Sequence, residues 1–271
     1  MGYLGHRLTQ SGGGVSTFSI NKPTECVEGG WIFVLLHSNG IPGTHTVTPR
    51  VSVGGAVDSN MVLVDELASS LVGSTLSHLY LYRRKVLAGE GGASGTSQFH
   101  FSSGGGARTF SGLAIAYDTE LDGTDPIHTF SMSSDGGSTD STIHVPNVET
   151  IENNQYVVRL GTQRAFANFS AIAGYDMRAN YNPAVNFSLF WMDLLKANPG
   201  FTAADTVNSD TTGEHIGMSL VLNMAAPAAE VSTLAPDGVA AQTGYANAST
   251  ANIANILGDP DTPGGTGFTA N

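Results

Sequence analysis

The sequence has little of three features that stabilise or locate many proteins. It has one cysteine, Cys26, so no internal disulfide can form and core packing has to stabilise the fold. Only 13% of its 271 residues are charged. Its longest apolar runs, such as Trp31–Leu36, have about six residues, against the roughly 18 that a membrane span needs. The sequence therefore predicts no transmembrane helix and no membrane insertion.

Basic residues are especially scarce. Eleven Lys and Arg stand against 23 Asp and Glu, which gives a formal net charge of −12. Nucleic-acid binding depends on clustered Lys and Arg, and the one basic run, Arg83–Lys85, lies in a strand-like segment. The composition therefore predicts no nucleic-acid partner.

Motifs for catalysis and cofactor binding are missing as well. The chain contains no Gly-x-Ser-x-Gly nucleophile turn, no Gly-x-x-x-x-Gly-Lys-Ser/Thr phosphate loop and no dinucleotide-binding glycine motif. Its eight histidines are isolated in the sequence, with no His-x-His pair. The sequence predicts a protein that is not an enzyme and that has no catalytic residues, no bound metal and no cofactor.

The segments that are present indicate an all-β protein. Short stretches rich in Val, Ile, Phe, Tyr and Thr alternate with Gly, Ser, Asn and Asp clusters, which is typical of sandwiches and barrels. We predict strands at 15–21, 31–37, 45–53, 61–67, 75–87, 97–103, 107–118, 126–132, 141–146, 155–163, 185–196 and 214–223. This number of strands fits a double-sheet, jelly-roll-like sandwich over residues 1–223.

The composition changes near Met224. Residues 224–271 contain no Lys or Arg and few bulky apolar side chains, so this segment cannot bury enough surface to fold alone. Its one helical candidate is Thr250–Leu257. We expect an extended C-terminal arm that docks on a neighbouring subunit, which implies a homo-oligomer. The alternative is a tail that folds back on its own domain.

The sharpest local motif is acidic. Its side chains alternate before a glycine, as in the first half of a calcium loop, and they are Asp118, Glu120, Asp122 and Asp125. The match is incomplete, because position 12 of such a loop is Thr129 instead of a bidentate Glu. Calcium binding and a solvated acidic turn both remain open, and the turn is favoured. Residues 135–140 are a lesser version of the same pattern.

Aromatic side chains offer a second candidate site. Phe169, Tyr175 and Tyr181 lie in a predicted loop region, where exposed rings could stack on sugars of a host-surface glycan. The same rings could instead anchor the loop on the sandwich, which is the more common role.

The order of segments resembles a known family. The matching stretches are Asn21–Thr24, Val27–Val34, Leu79–Val86, Phe99–Ser102, Ala114–Tyr117, Asp125–Ile127, Val145–Val148, Tyr156–Leu160 and Met218–Leu222. Together they resemble the β-sandwich domain of minor tail and virion surface proteins of tailed bacteriophages, over residues 8–223. The chain departs from that family in a longer Ile41–Asp58 stretch and in the segment after residue 224.

The resemblance implies a non-enzymatic structural protein on the exterior of a virion: a tail, fibre or head-decoration subunit. Its expected partners are other virion proteins, copies of itself and host-surface glycan. The alternative from a different class is a carbohydrate-binding module of a secreted or cell-surface protein.

Overall fold

The computed structural model describes residues 2–40, 46–69, 76–95, 97–134, 139–183 and 187–225. These residues form strands and connecting turns, which confirms the predicted all-β sandwich. The strands are β1 (Tyr3–Gln10), β2 (Thr17–Asn21), β3 (Trp31–Gly40), β4 (Thr46–Arg50), β5 (Val62–Ala68), β6 (Leu76–Lys85), β7 (Gln98–Gly104), β8 (Phe110–Tyr117), β9 (Ile127–Ser134), β10 (Asp140–Val145), β11 (Glu149–Thr150), β12 (Gln155–Gln163), β13 (Asp176–Tyr181), β14 (Ser188–Lys196), β15 (Gly200–Phe201), β16 (Asp205–Gly213) and β17 (His215–Leu222).

The sandwich has two large antiparallel sheets. The first large sheet has the order β1-β8-β3-β6-β5, and the second has the order β13-β14-β12-β17-β9. Each large sheet is covered on the face that points away from the other large sheet. A three-stranded sheet, β2-β7-β4, which we call the first outer sheet, covers the first large sheet, and the pair β10-β16 covers the second. A short ribbon, β11-β15, completes the pairing. The structure thus adds an outer layer on each side of the predicted sandwich.

Strand β3 shows why these layers form. Trp31, Phe33 and Leu35 belong to the core between the two large sheets, whereas Ile32 and Val34 belong to the core beneath the first outer sheet. Side chains of a strand alternate between its two faces, so a continuous apolar run buries both. Full burial of each such side chain contributes roughly 1.5–3 kcal/mol.

The two large sheets share one topology. The strand order β1-β8-β3-β6-β5 maps onto β9-β17-β12-β14-β13, and the outer pair β2-β7 maps onto β10-β16. The isolated bridge between Phe169 and Ser209 stands where β4 pairs with β7. Eight strands in this order, with β1-β8-β3-β6 in one sheet and β2-β7-β4 in the other, form a jelly roll. The described chain is therefore two jelly-roll repeats, which we call repeat 1 (residues 3–117) and repeat 2 (residues 127–222).

The pairing register matches between the repeats. Trp31 pairs with Tyr117 in repeat 1, and Tyr156 pairs with Leu222 at the same position in repeat 2. Both outer edges also carry the same irregularities: β1 and β9 each skip one residue after their first pair, and β5 and β13 each skip one residue after their second. These two coinciding pairs of β-bulges indicate that the described chain contains a structural duplication.

Two glycines mark the closest approach of the outer layers. Gly112 in β8 and Gly217 in β17 occupy equivalent positions, since Tyr117 and Leu222 are equivalent. A Cβ atom at Gly112 would overlap the Ile20 side chain of β2, and one at Gly217 would overlap the His144 carbonyl oxygen of β10. Each repeat therefore needs glycine where its outer sheet crosses its large sheet.

The structure contains strands that the sequence did not predict, and some predicted features lie outside the described residues. Strands β1, β13 and β16 and the two-residue strands β11 and β15 were not predicted. Such edge, outer or very short strands bury few apolar side chains, and in β16 Val207 is the one buried hydrophobic residue. The predicted C-terminal arm lies outside the described residues beyond Ala225, as does its helical candidate Thr250–Leu257. Residues 135–138 of the 135–140 segment also lie outside them.

Candidate functional site

The edge strand β1 is closed on its inner face, which is the face toward the other large sheet. The Arg178 guanidinium of β13 lies 4.8 Å from the centre of the Tyr3 ring. The same group is 2.8 Å from the buried carboxylate of Asp193, which accepts a 2.7 Å hydrogen bond from Tyr117 Oη. Burial, together with the charge of Asp193, raises the pKa of Tyr117 well above its ordinary value, so this phenol stays a donor. An arginine therefore seals this side of the sandwich.

The outer face of β1 is closed by a second arginine. Arg7 lies 3.0 Å from the carboxylate of Glu25, in the loop that follows β2. It also donates a hydrogen bond to Thr24 Oγ1 in that loop. The loop after β2 is thereby held against the edge of β1.

Strand β9 occupies the equivalent edge in repeat 2 without either arginine. The matching registers show that Ile127 and Ser131 of β9 take the places of Tyr3 and Arg7 of β1. Across the inner face, Val64 of β5 takes the place that Arg178 of β13 has beside β1. Two clefts remain open as a result. Among the described strands, none pairs with the second edge of β9.

The inner cleft lies between β9 and β5. It has a volume of about 380 Å³, and its lining includes Leu63, Val64, Ile127 and Phe130. Arg83 also lines it and forms an ion pair with Asp125 at its end. The inner cleft thus has apolar side chains from both strands, and His128 and Thr129 also line it. The positive charge of Arg83 is paired with Asp125.

The outer cleft lies between β9 and the loop that follows β10. Its volume is about 340 Å³, and it is lined by Ser131, Asn147, Glu149 and Phe201 together with Phe130. Phe201 is 69% exposed and Phe130 is 39% exposed. The outer cleft therefore combines two exposed rings with polar side chains beside an edge of β9 that pairs with no described strand.

The edge of β9 also lacks charge. Among the four edge strands of the large sheets, β1 carries Arg7, β5 carries Asp65 and Glu66, and β13 carries Asp176 and Arg178. Strand β9, with the sequence IHTFSMSS, carries no Asp, Glu, Lys or Arg. Proteins protect sheet edges from unwanted pairing chiefly with charges and proline, and β9 has neither. We call β9 with its two clefts the β9 edge.

The acidic motif serves as a set of turns. Asp118 Oδ1 accepts a 2.9 Å hydrogen bond from the Glu120 amide, and Asp122 Oδ1 accepts bonds of 2.7 and 2.8 Å from the amides of Thr124 and Asp125. These amide bonds lower the pKa of Asp122. Asp125 Oδ1 accepts a 3.0 Å bond from the Ile127 amide and pairs with Arg83. Within the described residues, no group of three or more His, Cys, Asp or Glu side chains is arranged to hold a metal ion.

The predicted sugar-stacking aromatics occupy different positions. Phe169 is only 5% exposed and packs on Phe190, with ring centres 4.9 Å apart, which corrects the expectation that it lies exposed in a loop. Tyr175 is half-buried beneath the Arg159 guanidinium. Tyr181, also half-buried, packs against the core between the large sheets. The structure does not assemble these three rings into one exposed platform.

Most buried charged groups hold layers together. Arg159 of β12 donates hydrogen bonds to the carbonyl oxygens of Pro146 and Ala203 and to the hydroxyl groups of Ser219 and Thr202. The Arg84 guanidinium is 2.5 Å from Asp58 and 2.7 Å from Glu90. These arginines connect large sheets to outer-layer loops, so their interactions are structural.

One buried histidine lies at the centre of the contact between the repeats. His37 of β3 is fully buried and hydrogen-bonded through Nδ1 to Thr162 Oγ1, its equivalent position on β12. Its Nε2 has no hydrogen-bond partner among the described residues. Burial, with the nearby His78 and Arg164, holds the pKa of His37 well below its ordinary value. The ring is therefore neutral in the folded protein.

Sequence reasoning located β9 as a strand but missed the β9 edge. Phe130 lies within the predicted strand 126–132, and the absence of charge there is visible in the sequence. The exposure of Phe130 depends on what lies across its face, and Val64 of β5, which lines the same cleft, meets β9 only in the folded chain. The one signal available in the sequence was a predicted strand that contains an aromatic residue and no Asp, Glu, Lys or Arg.

Comparisons of the chain with known proteins identify no relative. A scan against models of protein families, a search of curated proteins and a search of solved structures each find no match. In the part of the chain that the structure describes, no helix is long and apolar enough to cross a membrane.

Proposed function

We propose that the chain is a non-enzymatic structural protein of a bacteriophage virion, exposed on the exterior as a tail, fibre or head-decoration subunit. The observation that carries the proposal is the β9 edge. Strand β9 has no Asp, Glu, Lys or Arg, its second edge pairs with no described strand, and a cleft lies on each of its faces. Such an edge is suited to pairing with another protein.

The use of buried charge supports a structural role. Arg159 and Arg84 connect large sheets to outer-layer loops, and Arg178 contacts the Tyr3 ring of the other large sheet. The order of segments over residues 8–223, which resembles virion surface proteins, supports the location. In this role, repeated contacts between subunits supply avidity for a repeated host surface.

The location is tested by labelling particles. Antibodies raised against the chain should decorate intact phage particles from the source culture in electron micrographs, and mass spectrometry of purified particles should find the chain. Pre-absorption of the antibody with the purified protein is the control. Absence of the chain from purified particles would contradict the proposal.

A carbohydrate-binding module is the second candidate, favoured by the outer cleft. Its exposed Phe201 ring and the polar side chains of Asn147 and Glu149 line one shallow depression. An exposed ring beside amide and carboxylate groups can stack on a sugar while those groups bind its hydroxyls.

A glycan array separates the two candidates. The module predicts binding of a defined sugar by the purified chain. Binding should be lost in Phe201→Ala and kept in Phe166→Ala, because Phe166 is also exposed, at 51% against 69%, but lies outside the cleft. Absence of binding to any sugar would remove this candidate and leave the structural role in place.

A further inference from the structure

We propose that two copies of this chain form a dimer by pairing their β9 strands antiparallel. The two-fold axis lies between the two Ser131 residues, which face each other. The inference rests on the proposed role of the β9 edge as a protein contact, and it identifies the partner as a second copy. The resulting sheet would have ten strands, with the two β9 strands at its centre.

The two clefts are arranged as strand addition requires. A strand that pairs with an edge directs alternate side chains to opposite faces of the sheet. The inner cleft lies on one face of β9 and the outer cleft on the other, and both include Phe130. An added strand would therefore place side chains into both clefts while its backbone pairs with β9.

The absence of charge favours a second copy as the added strand. Pairing about a two-fold axis brings identical residues close together, and like charges opposite each other are destabilising. Strand β5, with Asp65 and Glu66, would repel its own copy. Because the chain carries a formal charge of −12, two copies approach most easily along an uncharged strip, and β9 is the one such edge among the large sheets as described.

The faces of β9 limit the register, and within that limit we place Ser131 opposite its own copy. Residues directly opposite each other in a sheet lie on the same face, whereas neighbours in one strand lie on opposite faces. In a two-fold pairing, one residue therefore has to lie opposite its own copy. Phe130 and Met132 pair with Leu220 and Met218, whose side chains belong to the core between the large sheets. With Ser131 on the axis, Phe130 lies opposite Met132 of the partner subunit on that inner face.

The outer face is equally compatible in this register. Thr129 lies opposite Ser133 of the partner subunit, and the two Ser131 side chains face each other. Ser and Thr pairs across strands form favourable hydrogen bonds. The pairing therefore matches apolar with apolar groups on one face and hydroxyl with hydroxyl groups on the other.

The first experiment transfers the arginine of β1 to β9. Light scattering and sedimentation of the full chain should show a dimer whose population rises with concentration. Ser131→Arg, which places at β9 the residue that β1 has in Arg7, should raise the dimer dissociation constant by at least about thirtyfold, because a buried, unpaired charge is costly. Thr17→Arg, on the exposed position of β2, is the matched control and should leave the dimer unchanged.

The second experiment tests the axis itself. Ser131→Cys should form an intermolecular disulfide under mild oxidation, because self-paired residues lie within reach of each other. Thr17→Cys should not, and the native Cys26 is buried at 2% exposure. Circular dichroism spectra and melting curves should show that every variant is folded.

Three results would overturn the proposal: a wild-type chain that is monomeric at every concentration, a Ser131→Arg dimer as tight as the wild type, or a Ser131→Cys dimer that does not cross-link. None of these results would decide whether the chain is present on virions, which particle labelling tests separately.

Discussion

Repeat 1 and repeat 2 have the same strand order, the same register and the same bulges, yet their outer edges differ. Strand β1 is closed on both faces by Arg178 and Arg7, whereas β9 has Val64 and Ser131 at those positions and remains open. The comparison shows that the jelly-roll framework tolerates either state. Two side-chain positions decide whether an edge is closed or free to interact.

The largest expected difference between the repeats is the loss of stability when Gly112 or Gly217 is replaced by alanine. Gly217→Ala should lower the free energy of unfolding by about 3 kcal/mol or more, because the new methyl group meets the backbone oxygen of His144. Gly112→Ala should cost about 1–2 kcal/mol, because the Ile20 side chain can rotate away. Urea unfolding of both variants measures the difference. Equal losses would show that the outer sheets approach equally closely.

Opening the closed edge should have the next largest effect. Arg178→Val copies the residue of repeat 1 and leaves the buried carboxylate of Asp193 without its cation, so it should lower the free energy of unfolding by about 2–3 kcal/mol. It should also create at β1 a cleft like that at β9. Thermal and urea unfolding measure the loss, and a neutral result would mean that Tyr117 alone satisfies Asp193.

Removing the outer arginine should have a smaller effect. Arg7→Ser copies the residue of β9 and breaks an ion pair with Glu25 in which both side chains are partly exposed, so it should cost no more than about 1 kcal/mol. High salt should reduce the cost further. A loss as large as that of Arg178→Val would contradict this assignment of Arg7 to the surface.

The contact between repeats should respond to pH, with the smallest effect at neutral pH. The folded-state pKa of His37 lies below its unfolded value near 6.5, so the unfolded chain binds the proton first. The stabilising contribution is present above pH 6.5 and is lost as the pH falls from there toward the folded-state pKa. His37→Gln should flatten the stability profile below pH 6.5, as measured by urea unfolding across that range. An unchanged slope would assign the pH dependence to other groups.

Central strands were predictable because they bury both faces. The predicted segments 31–37, 107–118, 155–163 and 214–223 correspond to β3, β8, β12 and β17, whose side chains are buried on both sides. Strands β1, β13 and β16 were missed because an edge or outer strand can be largely polar and still be held by its backbone hydrogen bonds.

The duplication was not predictable from residue identities. Trp31 corresponds to Tyr156, Arg159 to Val34, and His37 to Thr162, so the repeats share almost no side chains at these positions. Register and bulges persist because backbone pairing depends on spacing, whereas the cores can be filled by different combinations of apolar groups.

The sequence by itself determined the fold class, the central strands and the lack of charge in β9, because strand alternation and composition are local properties. Only the tertiary structure decided that β9 is an edge and that Phe130 is exposed. It also showed that carboxylates of the acidic motif accept hydrogen bonds from backbone amides of turns. The physical reason is that exposure depends on what lies across a face. At β9 that is Val64, which lies more than sixty residues earlier in the chain, and no local pattern records its position.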